Sequence, residues 1–557
     1  MRNFLLPLFS LFLLPSGFSQ NTAWRFQPQL DSLLATKRPG AQAPGFAVCL
    51  IEKGQIVYEY QSGLANLELQ KPITAETIFN IGSVAKQFTA ACILLLEEQG
   101  KLRRSDPIQK FIPELPDFGS VITLDHLIGH MSGLHSHVET LNLRVKFKNK
   151  FLNEPAVFSF YQKSPVLAFS PGTDFAYNNT AYRLLSMVIE RVSGMETGDF
   201  MQKNIFQPLG MDHAKFCLIE ADGLTDGTVS YTFKARKKRY KKTNDTYNML
   251  GATGIHCSMR DLALWQNNFD HNRLGKGNPE LIRQMETTYR LNDGTPTHYG
   301  AGLMLKNYRG IPTIEHAGGW NSFLLQCRRF PEQGISVLVA SNNDHSNPFP
   351  IADEICDKLF DFKPLPEKSA SNLIQLNIPP QNLEGKYLSF NNRIRRVRLD
   401  SDTLKIRIEE SATKREIALR FDPAMSSDTL LTFSDSTMNY PVQFALNPSG
   451  QVRGFYWDGG DYFQCRRFFE KLDEAPVSAK KWAGKYKGVG FKQKVRIRRQ
   501  GKGGVLKLKP VFFLGYHLDP ITPSVFIVRG DRTIVRFSEK GFVLGHDWVS
   551  NLHFSRY

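Results

Sequence analysis

A change in sequence character between residues 363 and 380 is the feature that most constrains the fold of this 557-residue chain. The stretch is rich in Pro, Ser, Asn and Lys, a composition typical of linkers. Before it, over residues 24–362, helical and strand patterns are mixed. After it, short runs of alternating apolar and polar residues follow one another, as in strands with one buried face. The sequence therefore predicts a mixed α and β domain, a linker and an all-β tail.

The all-β tail contains an internal repeat. Its two copies share two segments: LEGKY (383–387) with WAGKY (482–486), and GFYWDGGDYFQCRRF (454–468) with GFVLGHDWVSNLHFSRY (541–557). Because closing a sheet removes its exposed edges, each copy predicts a small antiparallel β-barrel, one over 381–470 and one over 480–557. A single larger β-sandwich is the alternative.

Local patterns place several elements within residues 24–362. They predict a β-hairpin over Gly45 to Gly63 with its turn at Lys53-Gly54, a helix over Val84 to Leu96 ended by Gly100, a helix over Ala181 to Gly194, two strands over Phe323 to Asn342, and a closing amphipathic helix over Ile351 to Phe362.

The N-terminal residues have the order of a secretory signal peptide. Arg2 precedes an apolar run from Phe4 to Leu14, and Pro15 and small residues follow it, so we expect cleavage after Ser19 and a leader over residues 1–19. A buried N-terminal helix is the alternative. No later apolar run reaches the roughly twenty residues that a membrane span needs. We therefore expect an exported protein, periplasmic or extracellular, without a membrane span.

Composition excludes some classes of function. The seven cysteines are scattered, odd in number and never spaced as Cys-x-x-Cys, which argues against a disulfide framework or a zinc site. The net charge is +17, with basic blocks such as KARKKRYKK over residues 234–242. No nucleic-acid motif accompanies them, so we expect no nucleic-acid partner. In one interpretation the basic blocks are ordinary solvated faces. In the other they attract peptidoglycan or another anionic polymer or lipid of the cell envelope. Only the second interpretation predicts binding that high salt abolishes.

The first motif with chemical potential is Ser83-Val84-Ala85-Lys86, at the start of a strongly apolar helix. Positions i and i+3 share a helix face, so the Lys86 amine can reach the Ser83 hydroxyl. A helix start also supplies N–H groups and partial positive charge, which suit a nucleophile next to a developing oxyanion. In the alternative interpretation Ser83 caps the helix and Lys86 is solvated.

The second motif is Tyr177-Asn178-Asn179, just before the next predicted helix. A tyrosine there relays protons when a neighbouring ammonium stabilises its phenolate. Asn179 can hydrogen-bond a substrate amide and hold Lys86. The alternative is an aromatic core residue beside a helix cap.

The third motif, His316-Ala317-Gly318-Gly319, joins one predicted strand to another. Its glycines let a substrate backbone approach closely, and His316 can contact a substrate carboxylate or carbonyl. A structural histidine is the alternative.

The three motifs, in this order and about one hundred residues apart, resemble the serine β-lactamase and penicillin-binding protein superfamily. Within it, the chain is similar to the branch of class C β-lactamases, D-alanyl-D-alanine carboxypeptidases, D-aminopeptidases and related esterases. The resemblance covers about residues 24–362, and segments 124–134 and 251–265 also resemble that branch. It implies an α+β fold: an α/β/α sandwich with an antiparallel sheet and a helical subdomain. The tail of two barrels resembles the arrangement of the D-aminopeptidase group.

The resemblance also implies residue roles. Ser83 is acylated by the substrate, Lys86 and Tyr177 act as a coupled proton relay, and Asn179 positions Lys86 and the substrate. The oxyanion would be held by the backbone N–H groups of Ser83 and Gly319. Gly319 directly follows the His-x-Gly motif, which consists of His316, Ala317 and Gly318. These roles predict a serine hydrolase for small peptides or esters, with D-amino acids near the scissile bond and no cofactor.

Two departures from the family pattern refine the prediction. The second motif reads Tyr-Asn-Asn where Tyr-Ser-Asn is commoner, and the third has His316 where β-lactamases carry Lys-Thr-Gly. A lysine gives a fixed charge for a substrate carboxylate, whereas a histidine is largely neutral at pH 7, so we expect peptidase or esterase activity rather than efficient β-lactam hydrolysis. The alternative is a non-catalytic or slowly acylating envelope sensor. His130, His135 and His137 do not have the spacing of a zinc site, so we predict no metal.

Overall fold

The computed structural model describes residues 24–136, 158–159, 161–162, 165–217, 224–243, 249–360 and 383, and the backbone of strands between 385 and 556. The helices are α1 Gln27–Ala35, α2 Ala85–Glu98, α3 Leu124–Ile128, α4 Asn179–Ser193, α5 Thr197–Met201, α6 Gln207–Leu209, α7 Met259–Asn268, α8 Glu280–Glu286 and α9 Pro348–Leu359. The first thirteen strands are β1 Phe46–Glu52, β2 Gln55–Ser62, β3 Leu64–Asn66, β4 Lys71–Pro72, β5 Phe79–Asn80, β6 Lys215–Phe216, β7 Tyr231–Lys234, β8 Arg239–Lys242, β9 Ile255–Cys257, β10 Met304–Tyr308, β11 Ile311–Trp320, β12 Phe323–Phe330 and β13 Ile335–Ser341.

An antiparallel sheet of six strands, in the order β10-β11-β12-β13-β1-β2, forms the centre of the fold. Strand β1 shows why the sheet is covered on both sides. Its alternate residues Ala47, Cys49 and Ile51 belong to one apolar core, and Phe46 and Val48 belong to the other. Side chains alternate across a strand, so an unbroken apolar run predicts burial on both faces.

The two faces of the sheet are covered by different parts of the chain. Helices α1 and α9 contribute Leu30, Leu34 and Ile355 to the smaller core. The larger core contains α2, α3, α4 and α7, and it continues from the sheet into a helical subdomain. Helix α2 is central to it, because every residue from Ala85 to Leu96 is buried. This gives the α/β/α arrangement with a helical subdomain.

Sixteen further strands follow in the tail, and here only the backbone is described. They are β14 Gly385–Ser389, β15 Ile394–Asp400, β16 Lys405–Glu410, β17 Glu416–Phe421, β18 Leu430–Ser434, β19 Val442–Leu446, β20 Val452–Trp457, β21 Arg467–Lys471, β22 Gly484–Gly488, β23 Lys494–Arg499, β24 Leu506–Pro510, β25 Tyr516–Pro520, β26 Val525–Val528, β27 Ile534–Ser538, β28 Gly541–His546 and β29 Val549–Arg556. Their pairings form two closed antiparallel circuits, β14 to β21 and β22 to β29. Separate barrel domains with the predicted boundaries remain a prediction.

Most local predictions for residues 24–362 are confirmed, with shifts at the ends of elements. The hairpin at 45–63 is β1 and β2, and the strands predicted over 323–342 are β12 and β13. Helix α9 begins three residues before the predicted Ile351, because the Asn347 side chain accepts the Phe349 N–H and Pro348 occupies the first turn. The predicted leader, the linker at 363–380 and His137 lie outside the described residues.

Membrane-spanning helices and clusters of metal-binding side chains are both predicted to be absent, and only the described residues bear on them. None of their helices combines the length and apolar character that crossing a membrane requires. No group of three or more His, Cys, Asp or Glu side chains in the described part of the chain is placed to hold a metal ion. His130 instead lies in the helical subdomain, where its Nδ1 accepts the Asn178 N–H.

Candidate active site

Ser83 lies in a one-turn 3₁₀ helix, Gly82–Val84, immediately before α2. Gly82 has a φ of +54°, in the left-handed region that glycine adopts without strain. Its N–H donates to the Asn80 side chain at 2.8 Å, which fixes the turn. Ser83 is only 6% exposed, so the surrounding residues enclose most of its side chain. The sequence predicts Ser83 at the start of the apolar helix. In the structure a separate tight turn carries Ser83, and α2 begins two residues later.

Lys86 has no exposed surface, and its ammonium is surrounded by acceptors. Nζ donates to Ser83 Oγ at 3.0 Å, to Asn179 Oδ1 at 2.8 Å and to the Ala252 carbonyl at 3.0 Å. A buried amine is costly unless it is hydrogen-bonded, and these three bonds meet that need while they aim Nζ at the serine hydroxyl. The interpretation of Lys86 as a solvated surface lysine is therefore wrong.

The Tyr177-Asn178-Asn179 segment forms a second wall of the pocket. Asn178 caps α4: its side chain accepts the Ala181 N–H at 3.2 Å and donates to the Leu134 carbonyl at 2.6 Å. This cap makes Asn179 the first residue of α4, from which its side chain reaches Lys86. The ring centroid of Tyr177 lies 4.8 Å from Lys86 Nζ. The order of the motif thus has a physical reason, with the middle residue capping the helix and its neighbours facing the amine.

His130 supports this wall from behind. Its ring centroid lies 4.3 Å from that of Tyr177, its Nδ1 accepts the Asn178 N–H at 3.1 Å, and its carbonyl accepts the Ala176 N–H at 2.9 Å. Burial lowers the pKa of His130 well below its ordinary value, and the positive charge of Lys86 adds to this effect. The residue is therefore a neutral spacer that holds the Tyr177 segment against the amine.

Strand β11 forms the third wall. Strand β10 pairs with β11 only as far as Met304 opposite Glu315, so beyond this point β11 continues without β10 beside it. There the Gly318–Gly319 backbone packs against the turn that carries Ser83. A Cβ on Gly82 would lie 2.3 Å from the Gly319 nitrogen, and one on Gly318 would lie 2.1 Å from the Ile81 carbonyl oxygen. Only glycine permits this approach, which brings the Gly319 amide beside the Ser83 turn.

His316 lies on β11 with no exposed surface. Its Nδ1 lies 2.7 Å from the Ala317 carbonyl oxygen, which can only accept, so Nδ1 carries the proton. Nε2 then accepts from the Tyr299 hydroxyl at 3.2 Å. Burial lowers the pKa of His316 to about 3, with a further contribution from the charge of Lys86. The ring is neutral and both nitrogens are bonded, so direct contact with a substrate requires it to turn; that role remains a prediction.

The close contact between β11 and the serine turn leads to a testable expectation. In Gly318→Ala the new methyl group forces the β11 backbone away from Ile81, and the Gly319 amide moves with it. We expect kcat/KM to fall by about 10²-fold or more, the typical cost of losing one oxyanion donor. Gly40→Ala is the control, since nothing lies within 4 Å of its added Cβ. Near-normal activity in Gly318→Ala would show that this contact does not set the catalytic geometry.

Three buried neutral histidines predict the response of stability to acid. Burial lowers the pKa of His256 to about 4, that of His316 to about 3 and that of His130 well below the ordinary value near 6.5. Between pH 6.5 and these lower values the unfolded chain binds protons that the folded chain does not. The free energy of unfolding therefore falls as the pH falls, by up to about 1.4 kcal/mol per pH unit for each histidine.

This acid response is measured by urea unfolding at a series of pH values from 7.5 to 4.5. We expect His256→Gln to flatten the dependence, because one differentially protonated group is removed. Exposed His271 supplies the matched control, His271→Gln, whose curve keeps the wild-type slope. Equal slopes in the wild type and both variants would refute the claim that His256 contributes to the acid sensitivity.

The structure brings together most of the residues that the sequence singled out. Ser83, Lys86 and Asn179 are joined by hydrogen bonds, Tyr177 faces the amine, and Gly318–Gly319 contacts the turn of Ser83. His316 is near them but turned inward.

Sequence reasoning missed several neighbours. They are the Ala252 carbonyl, the Tyr299 hydroxyl, the ring of Tyr182 at 5.5 Å from Lys86 Nζ, and the support from His130. Ala252 and His130 lie in segments 251–265 and 124–134, and the resemblance of these segments to the family is the signal that the sequence offers for them.

The fold and the pocket define a class of protein, and comparison with known families agrees with them. The Beta-lactamase family model matches residues 30–359. The chain therefore belongs to the β-lactamase family, of the serine-hydrolase type that includes penicillin-binding proteins and D-aminopeptidases.

Among individual relatives, the chain is 27% identical over 319 residues to penicillin-binding protein 4* of Bacillus subtilis (strain 168), covering 54% of this chain and 69% of that protein. It is 27% identical over 323 residues to the D-aminopeptidase of Gluconobacter oxydans (strain 621H), covering 57% of this chain and 59% of that enzyme. The match thus spans less than two thirds of the D-aminopeptidase.

Solved structures with the same fold include two penicillin-binding protein relatives. The octameric homologue from Pyrococcus abyssi superposes with a TM-score of 0.52 at 24% identity, over 80% of this chain and 100% of that chain. The penicillin-binding protein from Bacillus halodurans superposes with a TM-score of 0.50 at 23% identity, over 59% of this chain and 99% of that chain. At these identities the likeness concerns the fold.

Proposed function

We propose that the protein is an exported hydrolase that forms an acyl-enzyme on Ser83 and cleaves amide or ester bonds of small peptides or esters, with D-amino acids near the scissile bond. The observation that carries the proposal is the buried hydrogen bond from Lys86 Nζ to Ser83 Oγ at 3.0 Å. A serine hydroxyl is a weak nucleophile unless a base lies within hydrogen-bond reach, and here the distance lies within that reach.

In the proposed first step, Ser83 Oγ attacks the substrate carbonyl carbon and its proton passes to the Lys86–Tyr177 pair. The carbonyl oxygen becomes an oxyanion, which the backbone N–H groups of Ser83 and Gly319 stabilise. Collapse of this intermediate breaks the C–N or C–O bond, and the pair returns the proton to the departing amine or alcohol. Asn179 holds Lys86 in place through its Oδ1.

In the second step, water replaces the leaving group. The Lys86–Tyr177 pair takes a proton from water as it attacks the acyl carbon, and then gives a proton back to Ser83 Oγ as the acid departs. The same two groups serve both halves of the reaction because each half reverses the proton transfers of the other.

The neutral, inward-facing His316 supports the preference for peptides and esters over β-lactams. A β-lactam or a peptide with a free C-terminal carboxylate gains from a fixed positive charge at this point of β11. With its pKa lowered to about 3, His316 supplies no such charge at neutral pH. A relative named D-aminopeptidase agrees with peptidase activity.

A panel of substrates tests the proposal. Purified protein is given matched D- and L-alanyl amides, a simple aryl ester and a chromogenic cephalosporin. We expect D-alanyl amides or the ester to have the highest kcat/KM and the cephalosporin the lowest. High cephalosporin turnover would contradict the preference. A Ser83 adduct without turnover would indicate the slowly acylating sensor, and absence of both would indicate a non-catalytic protein.

Two finer parts of the proposal concern export and the tail. Export rests on the order of charged, apolar and small residues in the first nineteen positions, and N-terminal sequencing of the secreted protein tests it by the expected start after Ser19. We further propose that the two circuits of strands are barrel domains that wall one side of the cleft and restrict substrate length. Removal of residues 381–557 tests this, since unchanged selectivity between long and short peptides would refute it.

A further inference from the structure

A strongly basic β-hairpin projects from the catalytic domain next to the proposed active site. We call it the basic hairpin: β7, the turn Ala235–Lys237, and β8, up to Lys242. Residues 234–242 contain seven Lys or Arg and no acidic residue, so their charge is not balanced within the hairpin. Six of the seven side chains are exposed, and only Lys242 is half-buried. The six exposed charges therefore make the hairpin a strongly positive part of the surface.

The base of the hairpin is fixed to the end of β11. The Thr232 hydroxyl lies 2.9 Å from the Ser322 hydroxyl, in the two-residue turn that joins β11 to β12. Ser322 follows the proposed oxyanion donor Gly319 by only three residues. A strand residue spans about 3.3 Å, so the base lies within about 10 Å of Gly319 along the chain. Lys241 lies opposite Thr232, so at least one exposed charge belongs to this base of the hairpin. The path of about 10 Å is close to the Debye length at physiological salt, the range over which such a charge acts.

The turn under the hairpin has an unusual backbone. Asn321 and Ser322 have φ values of +55° and +87°, the combination found in tight hairpins, where glycine is the usual second residue. A serine there is strained, and strain of this kind clusters at ligand-binding and active sites. The hydrogen bond between the Thr232 and Ser322 hydroxyls connects this strained turn to the basic hairpin.

Ring contacts and a hydrogen bond hold the hairpin against the catalytic domain. The Phe233 and Tyr240 rings are half-buried and pack on each other at 5.1 Å, and Phe233 packs on His345 at 4.6 Å. The Phe233 N–H donates to Asp344 Oδ1 at 2.7 Å. Insertion into a bilayer requires exposed aromatic or aliphatic residues beside the basic ones, and the described side chains of this hairpin include no fully exposed apolar one. A soluble anionic chain fits better.

We propose that the basic hairpin binds the carboxylate-bearing part of an acidic peptide substrate whose scissile bond lies at Ser83. The inference rests on the proposed hydrolase function and names its substrate class. Carboxylates separated from the scissile bond by a few residues would lie against the hairpin charges, which raise the local concentration of the substrate and hold it in the cleft.

The test uses matched peptides with one D-alanyl residue, extended on either side by three Glu or by three Gln. For the wild type at low salt we expect kcat/KM to be about tenfold higher for a Glu peptide than for its Gln counterpart, with the advantage lost at high salt. The triple variant Arg236→Gln, Lys237→Gln, Lys241→Gln should lose this advantage through KM and keep its kcat and its activity on the Gln peptides.

The control variant Lys101→Gln, Arg103→Gln, Lys276→Gln removes the same charge from exposed residues near the far end of α2, about 20 Å from Ser83. It should behave as wild type. Equal activity on Glu and Gln peptides in the wild type, or equal losses in the two triple variants, would overturn the proposal.

The inference also has a readout that does not need turnover. In a Ser83→Ala background, fluorescence anisotropy measures binding of the labelled Glu peptides with and without the hairpin substitutions. If the wild type cleaves neither peptide, the proposed function fails; hairpin-dependent binding of the Glu peptide would still support the inference. If the hairpin is needed for binding to phosphatidylglycerol vesicles and the protein shows no preference for the Glu peptide, the hairpin is a lipid-binding surface. That result would refute the proposal that it binds an acidic peptide.

Discussion

Replacing Ser83 by alanine should reduce hydrolysis by about 10⁴-fold or more, because the acyl-enzyme can no longer form. The fold should survive: Lys86 Nζ loses one acceptor but keeps Asn179 Oδ1 and the Ala252 carbonyl. We therefore expect a change in the free energy of unfolding of no more than about 1–2 kcal/mol. Steady-state kinetics and urea unfolding on the same preparation separate the two effects.

The chain provides a matched control for the serine substitution. Ser478 precedes Lys481 with the same spacing as Ser83 and Lys86, but its sequence context is charged and no apolar run follows it. Ser478→Ala should retain full activity. Comparable losses in both variants would mean that Ser83 is not the nucleophile and that the spacing alone misleads.

Lys86→Met should have the second largest effect. The methionine fills much of the same space without an amine, so the Lys86–Tyr177 pair can no longer take the Ser83 proton, and kcat should fall by about 10²–10⁴-fold, with a smaller change in KM. Asn179 Oδ1 and the Ala252 carbonyl lose their donor, while the cost of a buried ammonium disappears. The two stability effects oppose each other, so the loss of activity should far exceed any loss of stability.

A second buried lysine separates chemistry from folding. Lys306 is nearly inaccessible, and its Nζ lies 3.5 Å from Glu315 Oε1, while Arg328 also pairs with Glu315. Lys306→Met should lower the melting temperature and leave kcat within about tenfold of the wild type. If Lys86→Met and Lys306→Met lose activity to the same degree, the effect of Lys86 is structural, and its role in the proton-accepting pair is refuted.

The sequence predicted the local parts of the site well, because helical spacing determines them. Ser83 and Lys86 lie three residues apart, and the structure shows the expected hydrogen bond. Asn178 and Asn179 precede a helix with a clear apolar pattern, so the cap and the first residue follow. That these motifs meet came from the family resemblance, because no local pattern contains contacts across about one hundred residues.

Other parts of the site could not be predicted from residue types. The Ala252 carbonyl binds Lys86 through the backbone, which any residue provides. Tyr182 and Tyr299 have the same pattern as ordinary core aromatics, and the inward position of His316 depends on Tyr299 beside it. The 3₁₀ turn of Ser83 follows from the left-handed φ of Gly82, which is set by the packing of β11 against it.

The most direct test of the central claim is the site of covalent labelling by a fluorophosphonate probe, determined by peptide mass spectrometry. We expect a single adduct, on Ser83. It should form rapidly in the wild type and in Ser478→Ala, slowly in Lys86→Met, and not at all in Ser83→Ala. A label on another residue, or equal labelling rates with and without the Lys86 amine, would contradict the claim that this buried pair makes the nucleophile.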